Sequence, residues 1–397
     1  MRLTPPRPKI ELYKEGFGDN DVLGCKKTSA QLSNIIEKVE EPLVICLDVE
    51  WGTGKSFFLQ YWYGAHTLQN GGTATTVYFD AFRIDVFDEP LVSLSSVVID
   101  RLEAAGVAST KLAEFKASAA GIAKHSSRMA FAMAKELVKN YTGDIIDAAV
   151  DSFSDDLTQE LDDFWKQESG KRHAMEHFRK TLEDITTPDG DTPPHKIAIV
   201  IDKLDRCRPD YALALLETAK HFFDVPNVHF VLGTNMDQLA NAVRQRYGSE
   251  IDVRKYLEKF VTLKIKLEAG AGPFISLEVR RYTEFLVEEM EIDVLVTDHL
   301  KSYVEHTAAL DGCTLRDCDN IAVNLAILSL HGDRFVRINC DHQVILTGLA
   351  IAKALHPDVY ATIFDGILDQ SELDKKLFKR APSSSQQPHG FGMLRCP

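Results

Sequence analysis

The sequence predicts an α/β fold: a parallel sheet flanked by helices, with a helical insertion and an all-α C-terminal domain. Three observations carry this prediction. An apolar run, "EPLVICLD" (41–48), feeds straight into the turn "VEWGTGKS" (49–56). A second apolar run, "IAIVID" (197–202), ends in an aspartate. Around both, strand-like and helix-like segments alternate, as parallel crossovers require.

Taken in order, residues 1–41 form a polar lead-in segment with a helix expected over Thr28–Glu40. "EPLVICLD" is apolar enough for a strand buried on both faces. "SFFLQYWYGAHTL" has helical spacing, and "TATTVYFDAF" reads as the second strand. From Glu89 the character changes: "AAGVASTKLAEFKASAAGIAKHSSRMAFAMAKELVKN" is rich in alanine and lysine and poor in strand formers. It predicts a helical insertion over 89–189. The acidic stretch inside it (Asp144, Asp147, Asp151, Asp155, Asp156, Glu160, Asp162, Asp163) reads as a solvated helix face. After the turn-rich "TTPDGDTPPHK" the sheet resumes with "IAIVIDKLDRC", the helix "YALALLETAKHFFDV" and the strand "VHFVLGTN". Another helix and "FVTLKIKL" complete the layer, so the core comprises 42–88 and 190–268. "EAGAGP" is a linker, 269–380 an all-helical domain, and the small polar tail 381–397 is expected to be disordered.

Composition narrows the function classes. The 397 residues are 45% hydrophobic and 26% charged, an ordinary globular balance that allows two or three domains. A net charge of −14 argues against a general nucleic-acid ligand, which usually meets a basic excess. The first residues lack an apolar signal-type run and seven cysteines are scattered, so a cytoplasmic location is expected. No run of 18 apolar residues predicts a membrane span.

The turn at 49–56 is the chemical centre of the sequence. It follows the phosphate-loop pattern G-x-x-x-x-G-K-[ST], except that Val49 replaces the first glycine. That glycine mainly serves the sharp exit from the strand. The residues that meet phosphate are kept: Gly52 and Gly54 allow close backbone approach, Lys55 supplies charge, and Ser56 suits Mg²⁺. Trp51, Gly52, Thr53, Gly54, Lys55, Ser56 and Phe57 are therefore the candidate ATP-binding set. "IAIVID" presents Asp202 at a strand's carboxyl end as the Walker B metal ligand, Ser56 being its partner on magnesium. Thr234 and Asn235, ending the next strand, are placed to sense the γ-phosphate or position a water.

These segments resemble a known family. "WGTGKSFF", "VYFDAFRIDVFDEPL", "IDKLDRCRPDYALALLETAKHFFDVPNVHFVLGTN" and "YLEKF" are similar to the KAP family of P-loop NTPases, in particular its soluble bacterial and prophage-borne members. The resemblance covers roughly residues 20–265, and "TLRDCDNIAVNLAI" extends it. It implies a Walker B strand separated from the P-loop strand and a helical insertion that spans membranes in many relatives; here the insertion is too polar to do so. It also implies a role in phage defence, as a homo-oligomer or beside an effector encoded nearby. Arg316, in "TLRD", matches the place where the family presents an arginine to the nucleotide; capping a helix or pairing with Asp317 or Asp319 is the other reading. Arg206, Arg208 and Arg254 are further finger candidates.

One departure bears on hydrolysis. Relatives carry an acid directly after the Walker B aspartate, and here it is Lys203. An ammonium is no base near neutral pH, and phosphates nearby would raise its pKa. Three readings stay open: a slow or inactive ATPase working as a switch, compensation by Asp205 as water-positioning group, or a sporadic or introduced substitution that traps the bound state. Lys203 could also stabilise γ-phosphate charge. An assembly scaffold without turnover is the alternative to the switch.

Two further patterns carry less. "HAMEH" (His173, Glu176, His177) matches H-x-x-E-H, which helices produce readily by chance, and reads as a surface helix. Cys313, Cys318, Cys340 and His342 have loose spacing for a metal and read as core or surface residues.

Overall fold

The computed structural model describes residues 2–5, 10–18, 21, 24–49, 51–86, 90–107, 109–124, 173, 175–187, 193–220, 224–265, 267, 275–292, 314–330 and 340–365. The acidic stretch and the C-terminal tail lie outside these residues.

Five parallel strands form one sheet: β1 (Leu43–Asp48), β2 (Thr75–Asp80), β3 (Ile197–Asp202), β4 (Val228–Thr234) and β5 (Leu263–Ile265). Their order is β2-β3-β4-β1-β5. β4 thus stands between the strand leading into the glycine turn and the strand ending in Asp202. The helices are α1 (Lys26–Lys38), α2 (Lys55–Leu68), α3 (Ala81–Ile84), α4 (Pro90–Ala104), α5 (Ser109–Lys124) and α6 (175–186). They continue as α7 (Pro209–Lys220), α8 (Met236–Tyr247), α9 (Val253–Glu258), α10 (Ile275–Met290), α11 (Leu315–Ser329), α12 (Cys340–Leu355) and α13 (Pro357–Phe364).

Both faces of the sheet are covered, which is why β3 and β4 are buried throughout and read as unbroken apolar runs. Alternation splits each strand between two cores. Val44 and Cys46 face one layer with Ile197, Ile199, Ile201, Phe230 and Leu232, under α4 to α9. Ile45 and Leu47 face the other with Ala198, Val200 and Val231, under α1 and α2. β5 is the short, largely exposed edge.

The described helices of the expected insertion, between β2 and β3, pack on the sheet. Leu91, Leu94, Val98, Leu112, Phe115 and Phe178 belong to the sheet's own core, and Arg101 donates to the Thr76 carbonyl on β2. The lead-in segment is not merely polar. Phe17 is buried among Phe58, Trp62 and Tyr63, and Gln69 exchanges hydrogen bonds with the Phe17 backbone. Lys196, at the foot of β3, closes the end of α1 by donating to the carbonyls of Glu37 (2.6 Å) and Val39 (2.9 Å).

A separate apolar cluster joins α10, α11 and α12 through Leu286, Met290, Ile321, Leu325 and Ile351. Among the described residues no helix is long and apolar enough to cross a membrane.

Candidate nucleotide-binding site

In parallel sheets the carboxyl ends of the strands gather the chemistry, because loops there lead into helix N-termini. Here β1 runs into the glycine turn and α2. Gly52 (φ 87°) and Gly54 (φ 91°) both take the left-handed conformation that side chains resist. Their positions curl the backbone ahead of Lys55. The first intrahelical bond runs from Phe58 N–H to the Gly54 carbonyl (2.8 Å), so the N–H groups of Lys55, Ser56 and Phe57 have no acceptor within the helix. Those donors and the positive end of α2 make an anion cradle.

Val49 in place of glycine leaves this curl intact, and its carbonyl accepts a hydrogen bond from Lys55 Nζ at 3.2 Å. The same ammonium lies 3.7 Å from Asp205 Oδ2, with both side chains almost fully buried. Trp51 Nε1–H also donates to that carboxylate, while the Trp51 ring stays 41% exposed. Burial pushes the Lys55 pKa down, and Asp205 and Asp202 pull it back up. Asp205 therefore does turn inward, but toward Lys55.

Asp202 ends β3 fully buried. Its Oδ2 accepts from Tyr78 Oη (3.1 Å), whereas Oδ1 has no hydrogen-bond partner among the described residues. Burial raises its pKa, opposed by the Ser56 hydroxyl, Lys203 and Tyr78. A buried carboxylate oxygen left open beside a serine hydroxyl fits magnesium. That ion takes one or two protein oxygens and completes its shell with phosphates and water. Asp202 and Ser56 are the residues that would hold it, and bound there it would neutralise charge on the phosphates. No group of three or more His, Cys, Asp or Glu forms a protein-only cage among the described residues.

Lys203 follows in the left-handed conformation (φ 63°), its N–H on the Gly233 carbonyl at 3.1 Å. Its ammonium pairs with Asp80 Oδ2 at the end of β2. Asp80 and Asp202 are partners in the β2–β3 register. Asp80 Oδ1 meanwhile accepts from Arg83 N–H and caps α3.

Asn235 directly follows β4. Its side-chain oxygen accepts from the N–H groups of Asp237 and Gln238 and caps α8. Thr234 beside it is fully buried with a hydroxyl that finds no partner among the described residues. Phe57 turns its ring away onto Tyr61 (4.5 Å between centroids) and the α2-side core. Thr53 lies half-buried in the loop.

Arg316 opens α11 directly over the loop. Its N–H reaches the Gly52 carbonyl (3.3 Å), and its side chain is exposed. The suggested acidic partners are engaged elsewhere: Asp317 Oδ2 accepts from Thr314 N–H and Oγ–H, a reciprocal cap, and Asp319 accepts from Tyr282. Arg208 is held by Asp85, and Arg206 and Arg254 are exposed. His173, Glu176 and His177 lie on the surface, and Cys318 is buried in the helical cluster. Cys313 and the side chains of Cys340 and His342 fall outside the described residues.

Tyr78, Asp80 and Asp48 were not foreseen. Asp48 Oδ1 accepts from Met236 N–H (3.0 Å) and ties the end of β1 to α8. Each is a polar residue at or near the end of a strand, a signal "VYFD" and "VICLD" did contain.

The family model for the KAP family P-loop domain matches residues 25–292. This chain belongs to the KAP family. The match runs from the start of α1 through the sheet to the end of α10, so the nucleotide-binding NTPase core lies within it. No curated protein matches the chain. Among solved structures it is similar to the ORC2 protein of Aeropyrum pernix, solved in ADPNP–ADP complexes, at 10% identity and a TM-score of 0.39 over 96% of this chain and 84% of that one. A likeness that loose carries no inference about ligand or partner.

Proposed function

We propose that this KAP-family NTPase binds ATP with magnesium and works as a nucleotide-dependent switch in phage defence, with slow hydrolysis. The observation that carries the switch is the bridge from Lys55 to Asp205. Asp205 belongs to the short turn (Leu204–Arg206) that links β3 to α7. A polyphosphate reaching the loop competes with this carboxylate for the ammonium and for the space beside Trp51. Its arrival is thereby coupled to the turn and the helix behind it. Slow hydrolysis follows from Lys203, whose ammonium cannot take a proton from water. The defence role, with a homo-oligomer or a nearby-encoded effector as partner, rests on the resemblance to soluble prophage-borne relatives.

The Lys203–Asp80 pair favours a second reading as well. With the ammonium neutralised in place, the site could hold nucleotide without turnover and scaffold an assembly.

Binding of ATP and steady-state hydrolysis, compared for the unaltered chain, Lys55→Ala and Lys203→Glu, test both. The switch reading expects micromolar-range binding, slow turnover, and loss of affinity in Lys55→Ala by about 100-fold, as fits a charge-assisted contact to phosphate. Binding with no turnover supports the scaffold. Failure of the unaltered chain to bind any nucleotide overturns both.

A further inference from the structure

The acid missing at position 203 has a replacement on the neighbouring strand. We propose that Asp80 is the carboxylate that orients the attacking water, with Lys203 as its positioning residue. The inference rests on the reading of the chain as an ATP-binding protein and names the group through which it turns over.

Four aspartates stand at or just after the carboxyl ends of the strands, Asp48, Asp80, Asp202 and Asp205, and three are committed, Asp48 by accepting from Met236 N–H. Asp202 is fully buried, bonded to Tyr78 and open only through the oxygen suited to magnesium. Asp205 is buried against Lys55 and Trp51. Asp80 differs: its side chain is 19% exposed and Lys203 is 22% exposed, so water reaches both. The β2–β3 register puts Asp80 beside Asp202, on the side away from β4. One carboxylate oxygen is fixed by the α3 cap, which sets the plane of the group, and the other points at Lys203.

The left-handed backbone at Lys203, anchored through its N–H to Gly233, turns the side chain toward β2. A cation and an anion have in effect changed strands. When a triphosphate is bound, its γ-phosphate draws the ammonium, and the Asp80 oxygen is free to accept from water. The bond from the water oxygen to γ-phosphorus forms as the bond to the ADP oxygen breaks, and the electron pair leaves on ADP. One water proton passes through the Asp80 carboxylate to solvent and the other stays on the phosphate. A diphosphate lacks the group that takes Lys203, so the pair also distinguishes ATP from ADP.

The test uses the full chain with ATP and magnesium. Asp80→Asn keeps the oxygen that caps α3 and removes the charge. It is expected to lower kcat at least tenfold while KM and ATP affinity change less than threefold, a split that a merely structural role would not give. Adding Lys203→Glu to Asp80→Asn returns an acid from the other strand and is expected to restore turnover. Unchanged kcat in Asp80→Asn overturns the inference, as does a folded double variant that stays inactive while Lys203→Glu alone turns over. An unaltered chain that binds ATP but does not hydrolyse it above the Lys55→Ala background also overturns it, leaving the binding reading standing. Failure to bind ATP at all sinks that reading instead.

Discussion

At the scale of single residues, the site is built of lysines whose charges are already answered. Lys55 has little access to water, and a buried ammonium without a counter-charge is costly. Asp205 supplies that charge from the turn after β3. The pair offsets the cost of burying the ammonium, and under the proposed switch Asp205 competes with phosphate. Replacing Asp205 by Asn retains an acceptor for the Trp51 indole and removes the competitor. ATP affinity in Asp205→Asn should therefore rise about fivefold, equivalent to ~1 kcal/mol for a partly compensated ion pair. Titration of Trp51 fluorescence measures it, and an unchanged or weaker affinity would show that Asp205 does not contend with the nucleotide. The glycine turn was legible because its residues are contiguous and Gly52 and Gly54 mark positive φ. Asp80 and Lys203 were not read as a pair, because they are far apart in sequence and meet only through strand register.

Elements show the same division. β1, β3 and β4 were legible as buried parallel strands because both faces are covered and no alternation breaks the apolar runs. The helices from 90 to 124 were read as an insertion on composition, since alanine-rich sequence does not say which surface it will cover. They pack into the β2-side core through Leu94, Val98, Leu102 and Phe115. At Asn235, where a strand ends and a helix starts, the sequence does not separate a role in the site from a cap, and its side-chain oxygen caps α8. Within β4 the fully buried His229 carries a consequence for pH. Burial and the nearby Lys196 ammonium push its pKa down from 6.5 to about 4. A base whose folded pKa is depressed stabilises the fold above the unfolded value and loses that contribution as pH falls from 6.5 toward 4. The loss is roughly 1.4 kcal/mol per pH unit in that window. Thermal unfolding at pH 7.5 and 5.5 should show a drop that His229→Leu reduces, and an equal drop in both proteins would assign the acid sensitivity elsewhere.

For the whole molecule, the question is how a phosphate in the loop reaches the helical unit that the sequence marked off after "EAGAGP". The sequence could place α10 to α12 in a separate domain, but not say where it touches the sheet. Contact between a glycine backbone and a helix start leaves no periodic signal. In the structure the contacts include the Gly52 carbonyl with the Arg316 N–H and Leu315 against the α2-side core, and a Cβ added at Gly52 would meet Thr314 Oγ1 at 2.8 Å. The loop is thus covered by the first turn of α11, whose cap is the Thr314–Asp317 pair. A nucleotide that stiffens the loop is expected to stiffen this turn through the shared hydrogen bond and the adjoining Thr314. Amide exchange at residues 315–318 should slow about tenfold when ATP is added, the equivalent of ~1.4 kcal/mol of local stabilisation. Thr314→Ala removes one side of the cap at a local cost of about 1 kcal/mol and does not alter the phosphate-facing residues. In that variant ATP should still bind within severalfold of the unaltered affinity, while the slowing at 315–318 is largely lost. Equal slowing in both proteins would mean that α11 follows the nucleotide by another route, and no slowing in either would uncouple the helical unit from the loop.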